Sequence, residues 1–214
     1  KSVCYLVSAL FTQICYGELM KKLSLYIFLG LICCTVGYAN DIRDFQIEGI
    51  SIGDSLLRYS TQEEINISEN NSSIMKDKSK KERYRIIFLN TITKNEYETV
   101  QITYKINDKN YIIHSIDGSI NFPNKFQECK NEMNIVVNDL KKIFIDNKLR
   151  KTNGKHTADK SGKSIHSSTY FDLSNGQVTV WCVLWSDEMN YDDGLAVTLR
   201  SKEYTNFLIN ENSY

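Results

Sequence analysis

The stretch Lys151 to Ser167 gathers Lys155, His156, Asp159, Lys160, Lys163 and His166 around two glycines and three serines. That mixture suits an anion. Glycines let backbone amides converge on one point, and lysines supply compact positive charges. Lys155, His156, Lys160 and Lys163 are therefore expected to bind a phosphate, sulfate or carboxylate, with a solvated connecting loop as the alternative. Gly162-Lys163-Ser164 is not the phosphate loop of a nucleotide-binding protein. Thr157 stands where the first glycine is required, and the residues that follow do not favour a helix.

Catalytic sets are harder to assemble. Ser161 or Ser164 with a histidine and Asp159 forms a triad on paper, but nothing places the serine on a strained turn beside oxyanion donors. Cys129 lies on an apolar helix stripe rather than in an activating setting. His114, His156 and His166 lack the close spacing of a zinc site. Asp187, Glu188, Asp192 and Asp193 supply oxygen ligands without the spacing of a calcium loop. No catalytic residue, no metal and no cofactor is expected. A second binding candidate is the pair Trp181 and Trp185. They face away from Cys182 on a strand and would line a groove for a partner, with packing of the terminal helix or the first half on that face as the alternative.

Two elements must position these residues. From Asn124 to Leu149, apolar residues recur at gaps of three and four: Phe126, Cys129, Met133, Val136, Val137, Leu140, Ile143 and Phe144. This is the stripe of a long amphipathic helix. From Gln177 to Trp185, Val178, Val180, Cys182 and Leu184 alternate with Thr179, Trp181, Val183 and Trp185, the period of a strand. Four of the six cysteines precede residue 35, leaving Cys129 and Cys182. In an oxidising compartment they are expected to form a disulfide that staples the helix to the sheet. Two buried free thiols are the alternative.

Ile50 to Tyr59 reads as a short helix, and Ser60-Thr61-Gln62-Glu63 as the capping box of a second one. The polar run Asn66 to Lys81 reads as a loop or disordered insertion. Strands are expected at Tyr84–Leu89, Glu98–Ile106 and Tyr111–Ile116, the last closed by Asp117-Gly118. Asn124 is the expected cap of the long helix. Asn175-Gly176 favours a two-residue hairpin turn that sets Leu173 opposite Val178, Phe171 opposite Val180 and Thr169 opposite Cys182. A last strand carries Leu195, Val197 and Leu199, and a short terminal helix carries Phe207 and Leu208. The expected class is α+β: an antiparallel sheet with helices on one face, arranged as two αβββ halves.

The N-terminus points to export. Met20-Lys21-Lys22 starts a positive segment, Leu23 to Val36 is apolar, and Gly37-Tyr38-Ala39 has the small residues of a cleavage site. Residues 20–39 are thus expected to be a signal peptide and 1–19 extraneous upstream sequence. Residues 40–214 then form a single mature domain. An N-terminal membrane anchor is the alternative, and the mature domain itself is not expected to enter the membrane. Lysine plus arginine balance aspartate plus glutamate at 26 each, so no basic field exists to recruit nucleic acid.

From Met20 onward, with Asp44-Phe45-Gln46-Ile47-Glu48-Gly49-Ile50-Ser51-Ile52-Gly53-Asp54-Ser55-Leu56-Leu57, the chain resembles a family of uncharacterised exported proteins of marine alphaproteobacteria. The blocks Lys155 to Ser164 and Trp185-Ser186-Asp187-Glu188-Met189 carry the same resemblance. It implies a periplasmic address and brings no activity or catalytic residue with it. Ile50-Ser51-Ile52-Gly53-Asp54-Ser55 is also similar to the opening of small envelope-assembly and inhibitor-type modules, which bind proteins. The expected function is non-enzymatic binding of an envelope protein or a small anionic envelope ligand. A structural or assembly role and an extracytoplasmic hydrolase are the alternatives.

Overall fold

The computed structural model describes residues 41–89, 96–144 and 148–211. The expected upstream segment and signal peptide lie outside the described residues. An opening hairpin of β1 (Gln46–Ile47) and β2 (Ile50–Ser51) leads through a 3-10 turn to α1 (Gln62–Glu69). Four strands follow: β3 (Ser73–Lys76), β4 (Glu82–Phe88), β5 (Thr99–Lys105) and β6 (Ile113–Asn121). Helix α2 (Phe126–Ile143) connects them to β7 (Lys148–Lys155), β8 (Ile165–Asp172), β9 (Gly176–Leu184) and β10 (Gly194–Ser201). Helix α3 (Lys202–Asn206) and a π-helical turn come last.

Strands β3 to β10 form one eight-stranded antiparallel sheet in the order β3-β4-β5-β6-β10-β9-β8-β7. Each half of the chain is a meander, and β6 and β10 join the two at the centre. Each half gives four strands to the sheet where three were expected. The additional ones, β3 and β7, are edge strands with no buried residue, so their sequences lack the alternation of a half-buried strand. Lysine and arginine along β7 suit an edge, because charge there discourages pairing with another chain.

One sheet face holds the core. Val178, Val180 and Cys182 of β9 lie beside Leu195, Val197 and Leu199 of β10, and all are buried. The α2 stripe of Cys129, Met133, Val136, Val137 and Leu140 covers them. The Cys129–Cys182 disulfide is formed, 53 residues apart in sequence. Phe144, just past the helix, packs between Phe45 and Phe171, with ring centroids 4.7 and 5.2 Å away. The helices are not confined to this face. Tyr204 of α3 and Phe207 form a separate aromatic cluster with Tyr84, whose ring also meets His114. Alternation along β4 sets Tyr84 opposite in face to the core residue Ile87, so α3 caps one end of the other face.

Several local expectations shift. Thr61 and Glu64, not Ser60 and Glu63, make the capping box of α1. Between Ile50 and Tyr59 only Leu56–Arg58 is helical, as a 3-10 turn capped by Ser55. Asn124 does not cap α2: it takes φ +56°, and Lys125 precedes the helix with no side-chain cap bond. The helix ends at Ile143, because Lys148 to Lys155 pairs with β8 instead. The β8–β9 hairpin is displaced by two residues, with Phe171 opposite Val178 and Ser167 opposite Cys182. The displacement preserves face, so the core prediction survives it. Its cause is that Asn175-Gly176 is used elsewhere. Asn175 Oδ1 accepts from Ile42 N, its Nδ2 donates to Asp41, and a Cβ on Gly176 would lie 2.4 Å from Arg200 O. The paired positive φ values of a tight hairpin turn occur at Glu48 (+52°) and Gly49 (+79°).

Candidate functional site

Strand β6 does not stop at Asp117-Gly118. It runs to Asn121, with Gly118 set against the ring of Tyr97, which would lie 2.6 Å from any Cβ placed there. This continuation puts Ser115, Asp117, Ser119 and Asn121 on the face opposite Ile116, at a period of two. From β5, Thr99, Gln101 and Thr103 lie on the same face, since Gln101 pairs with Asp117 and Thr99 with Ser119. From β10 and β9, Ala196 and Thr198 sit opposite Trp181 and Thr179. A polar floor thus crosses four strands, and aromatic residues rise at its margins.

The result is a hollow of about 390 Å³ away from the core. Its floor is made by Thr99, Gln101, Asp117, Ser119 and Ala196, and its walls by Phe88, Trp181, Trp185 and Tyr191. The floor groups are held in place by their neighbours. Trp181 Nε1 donates to Thr198 Oγ1 (3.3 Å), Thr198 Oγ1 donates to Asp117 Oδ1 (2.6 Å), and Ser115 Oγ donates to Asp117 Oδ2 (3.1 Å). Thr99 and Ser119 are joined by a short hydroxyl–hydroxyl bond. Trp185 and Tyr191 meet edge to face, with centroids 5.1 Å apart. Tyr191 is 62% exposed, so this wall stands open to solvent. Asp193 anchors the loop behind it: Oδ1 accepts from Trp185 N at 2.7 Å and Oδ2 from Asn124 N at 3.0 Å.

The basic loop abuts the same wall from behind. His156 packs on Trp185 at 4.4 Å between centroids and meets His166 at 5.6 Å. Burial, followed by the neighbouring His166, lowers the His156 pKa and so disfavours the charged ring against the indole. The loop itself is shorter than the sequence implies, because Lys151 to Lys155 belongs to β7 and Ile165 opens β8. At its centre is Asp159. Its Oδ2 accepts from Ser164 N (2.9 Å), Ser164 Oγ (2.6 Å), Ser161 Oγ (2.9 Å) and Ser186 Oγ (2.9 Å), while Oδ1 takes Ser161 N (2.8 Å). The hydroxyls of Ser164 and Ser161, more than the amides, hold the Asp159 carboxyl well below the usual range. Ser186 N in turn donates to Ser164 Oγ at 2.8 Å.

No protein-family profile, curated protein or solved structure matches the chain. What the residues do chemically rests on their arrangement. The convergent amides that the sequence offers to an anion already converge on a carboxylate, that of Asp159. Lys163 is drawn to Glu188 (2.5 Å), which raises the lysine pKa and lowers the glutamate's. Lys155 lies along Gly162, its Nζ 3.3 Å from where a Cβ would sit. Lys160 is exposed. Of the six expected binding residues, Trp181 and Trp185 line the hollow, and His156 supports it through Trp185. The hydroxyls of Ser161 and Ser164 donate to Asp159 rather than to a histidine.

Sequence reasoning missed the floor. Asp117 reads as a turn residue beside Gly118, although Ser115, Asp117, Ser119 and Asn121 mark a polar strand face by their alternation. The matching set Thr99, Gln101 and Thr103 was the available signal that two neighbouring strands turn polar groups the same way. Among the described residues, no group of three or more His, Cys, Asp or Glu is arranged to hold a metal ion, and no helix is long and apolar enough to cross a membrane.

Proposed function

We propose that this protein is an exported, non-enzymatic binding protein of the cell envelope that receives its ligand in the hollow. The observation that carries this reading is the joining of Trp181, Trp185 and Tyr191 to a floor of hydrogen-bonding groups fixed before any ligand arrives. Sites of this size, with apolar and aromatic walls and a few oriented polar groups, are the usual form of a small-ligand site. Fixed groups reduce the ordering cost of binding. The leader-like segment 20–39 supports export to the periplasm, and the disulfide is compatible with an oxidising compartment. The charges of the lining favour a ligand that is not an anion, because among the described residues that line the hollow Asp117 and Asp192 are carboxylates and none is a lysine, arginine or histidine.

The test compares the protein with a Trp181→Ala/Trp185→Ala variant. Both are immobilised, exposed to the same small-molecule fraction of an envelope extract, and washed. At least one compound should be retained by the protein and lost by the variant, with far-UV circular dichroism unchanged. Equal retention by the two would remove the hollow from the function. A parallel panel of ester, peptide, glycoside and phosphoester substrates addresses the hydrolase alternative. Turnover abolished by one polar substitution that leaves folding intact would replace the binding reading with an enzymatic one.

A further inference from the structure

The chemical class of that ligand follows from the charges and rings that the hollow brings together. Asp117 lies on the floor, partly exposed, with its oxygens oriented by Thr198 and Ser115 hydroxyls. Both of those donors are neutral, so the carboxylate is fixed in direction by hydroxyls rather than by a cation. Among the described residues no lysine, arginine or histidine forms an ion pair with it. The nearest cation by register is Arg200. It sits opposite Ser115, one same-face position along from Thr198 and Asp117, and makes no ion pair with the carboxylate. The second charge of the lining, Asp192, is also negative and stands at the exposed rim.

The same hollow is lined by two indoles, a phenol and a phenyl ring. The face of an aromatic ring is electronegative and attracts a cation, with Trp the strongest and the gain larger where water is excluded. An anion would meet like charge at both carboxylates. A neutral ligand would leave the Asp117 charge unbalanced while removing it from water, which is costly. A cation resolves both, because the rings and the carboxylate attract it together.

We propose that the hollow binds a small organic cation, an ammonium or guanidinium group on a compact body. The proposal rests on the reading of the hollow as the binding site. It commits to a free small molecule, because the hollow has the volume of a small-ligand site and its polar groups lie at the floor rather than along an extended track.

The experiment titrates the full chain with choline, with agmatine, and with the uncharged isostere of choline in which a tert-butyl group replaces the trimethylammonium. The fluorescence of Trp181 and Trp185 reports binding, since both line the hollow. At least one cation should bind, and choline should exceed its isostere by on the order of tenfold. Asp117→Asn should remove that preference, whereas Asp187→Asn, a carboxylate outside the hollow, should leave it unchanged. If the isostere binds as tightly as choline, the cation inference falls while the hollow remains a binding site. It falls in the same way if a neutral sugar binds and neither cation does. No response to either cation also overturns the inference, and the extract comparison then decides separately whether the hollow binds anything. Tighter binding of a Gly-Arg-Gly peptide than of agmatine would show that the site takes a side chain of a protein, against the commitment to a free ligand. An equal loss of affinity in Asp117→Asn and Asp187→Asn would assign the effect to general surface charge and refute a role for the floor carboxylate.

Discussion

Reduction of the Cys129–Cys182 bond should destabilise the protein by an amount that its loop length sets. The two cysteines are 53 residues apart. In the chain-entropy account, cross-linking a loop of that length removes about 4 kcal/mol of freedom from the unfolded chain. Little of this is offset in the folded state, because both cysteines are buried against apolar neighbours and α2 stays seated through Met133, Val136, Val137 and Leu140. Comparing oxidised with reduced wild type avoids the void that an alanine substitution would leave. The assay is urea unfolding followed by tryptophan fluorescence, with and without a phosphine reductant. With a denaturant slope of roughly 2 kcal/mol/M, the midpoint should fall by about 2 M on reduction. Far-UV circular dichroism of the reduced protein in water should be unchanged. A midpoint shift below about 0.5 M would refute the reasoning, because the staple would then add almost nothing to what the apolar stripe already holds. Loss of the helix on reduction would refute it from the other side.

Leu140→Ala, at a fully buried position on α2, should cost about 2–5 kcal/mol in the same urea assay, and a cost under about 1 kcal/mol would contradict the assigned packing. Gly118→Ala should cost about 1–3 kcal/mol, since the ring of Tyr97 occupies the place of the new methyl group; an unchanged melting midpoint counts against that close approach. Asp159→Ala should free the loop 156–164 from Ser186, so that hydrogen exchange rises at the Ser164 and Ser186 amides while the sheet stays protected. Slow exchange at both amides in the variant would show that Asp159 is not the clamp. Burial lowers the pKa of His114 and His156 below the ordinary 6.5. The unfolded chain therefore binds protons that the folded chain rejects, and the stability fully present above about pH 6.5 must fall as pH drops through the folded values. Thermal melts from about pH 8 to about pH 5 check this sign, and a rise in stability on acidification over that interval would be incompatible with it.

The core was legible because its signals are periodic and redundant. The stripe on α2 and the alternation on β9 each fix a face, and two cysteines on those faces select each other. A two-residue error in the β8–β9 register left this conclusion intact, since every shifted pair stayed on its own side. The edge strands were not legible, because a strand with no buried residue has no reason to alternate. Half of the site was legible for a related reason. Trp181 and Trp185 stand out by size and by opposition to Cys182. Asp117 does not, because a carboxylate beside a glycine looks the same in a turn and in mid-strand. Only its pairing with Gln101 on one side and Thr198 on the other reveals a floor, and pairing is a property of the folded sheet. In the Lys155–Lys163 loop composition conceals an internal partner. The loop's composition is that of an anion site, but the anion that fills it is supplied by Asp159 from within.

The place of β10 has a consequence for how the chain reaches this state. Of the eight strands of this sheet it comes last in sequence, yet it lies in the middle, between β6 and β9. Until it arrives, the first meander and the second have no shared ladder of backbone hydrogen bonds. Strands β6 and β9 then each display an open edge carrying buried-type residues such as Ile116 and Val180. Such edges are templates for another copy of the chain, and a nascent molecule exposes both of them until β10 emerges. A chaperone or a secretion factor that holds this protein would be expected to shield these internal edges rather than the outer strands, whose lysines already discourage pairing. A chain interrupted before Gly194 would not be a smaller version of the protein. It would be two leaves without a common sheet, and Asp117 would have lost the threonine that aims it.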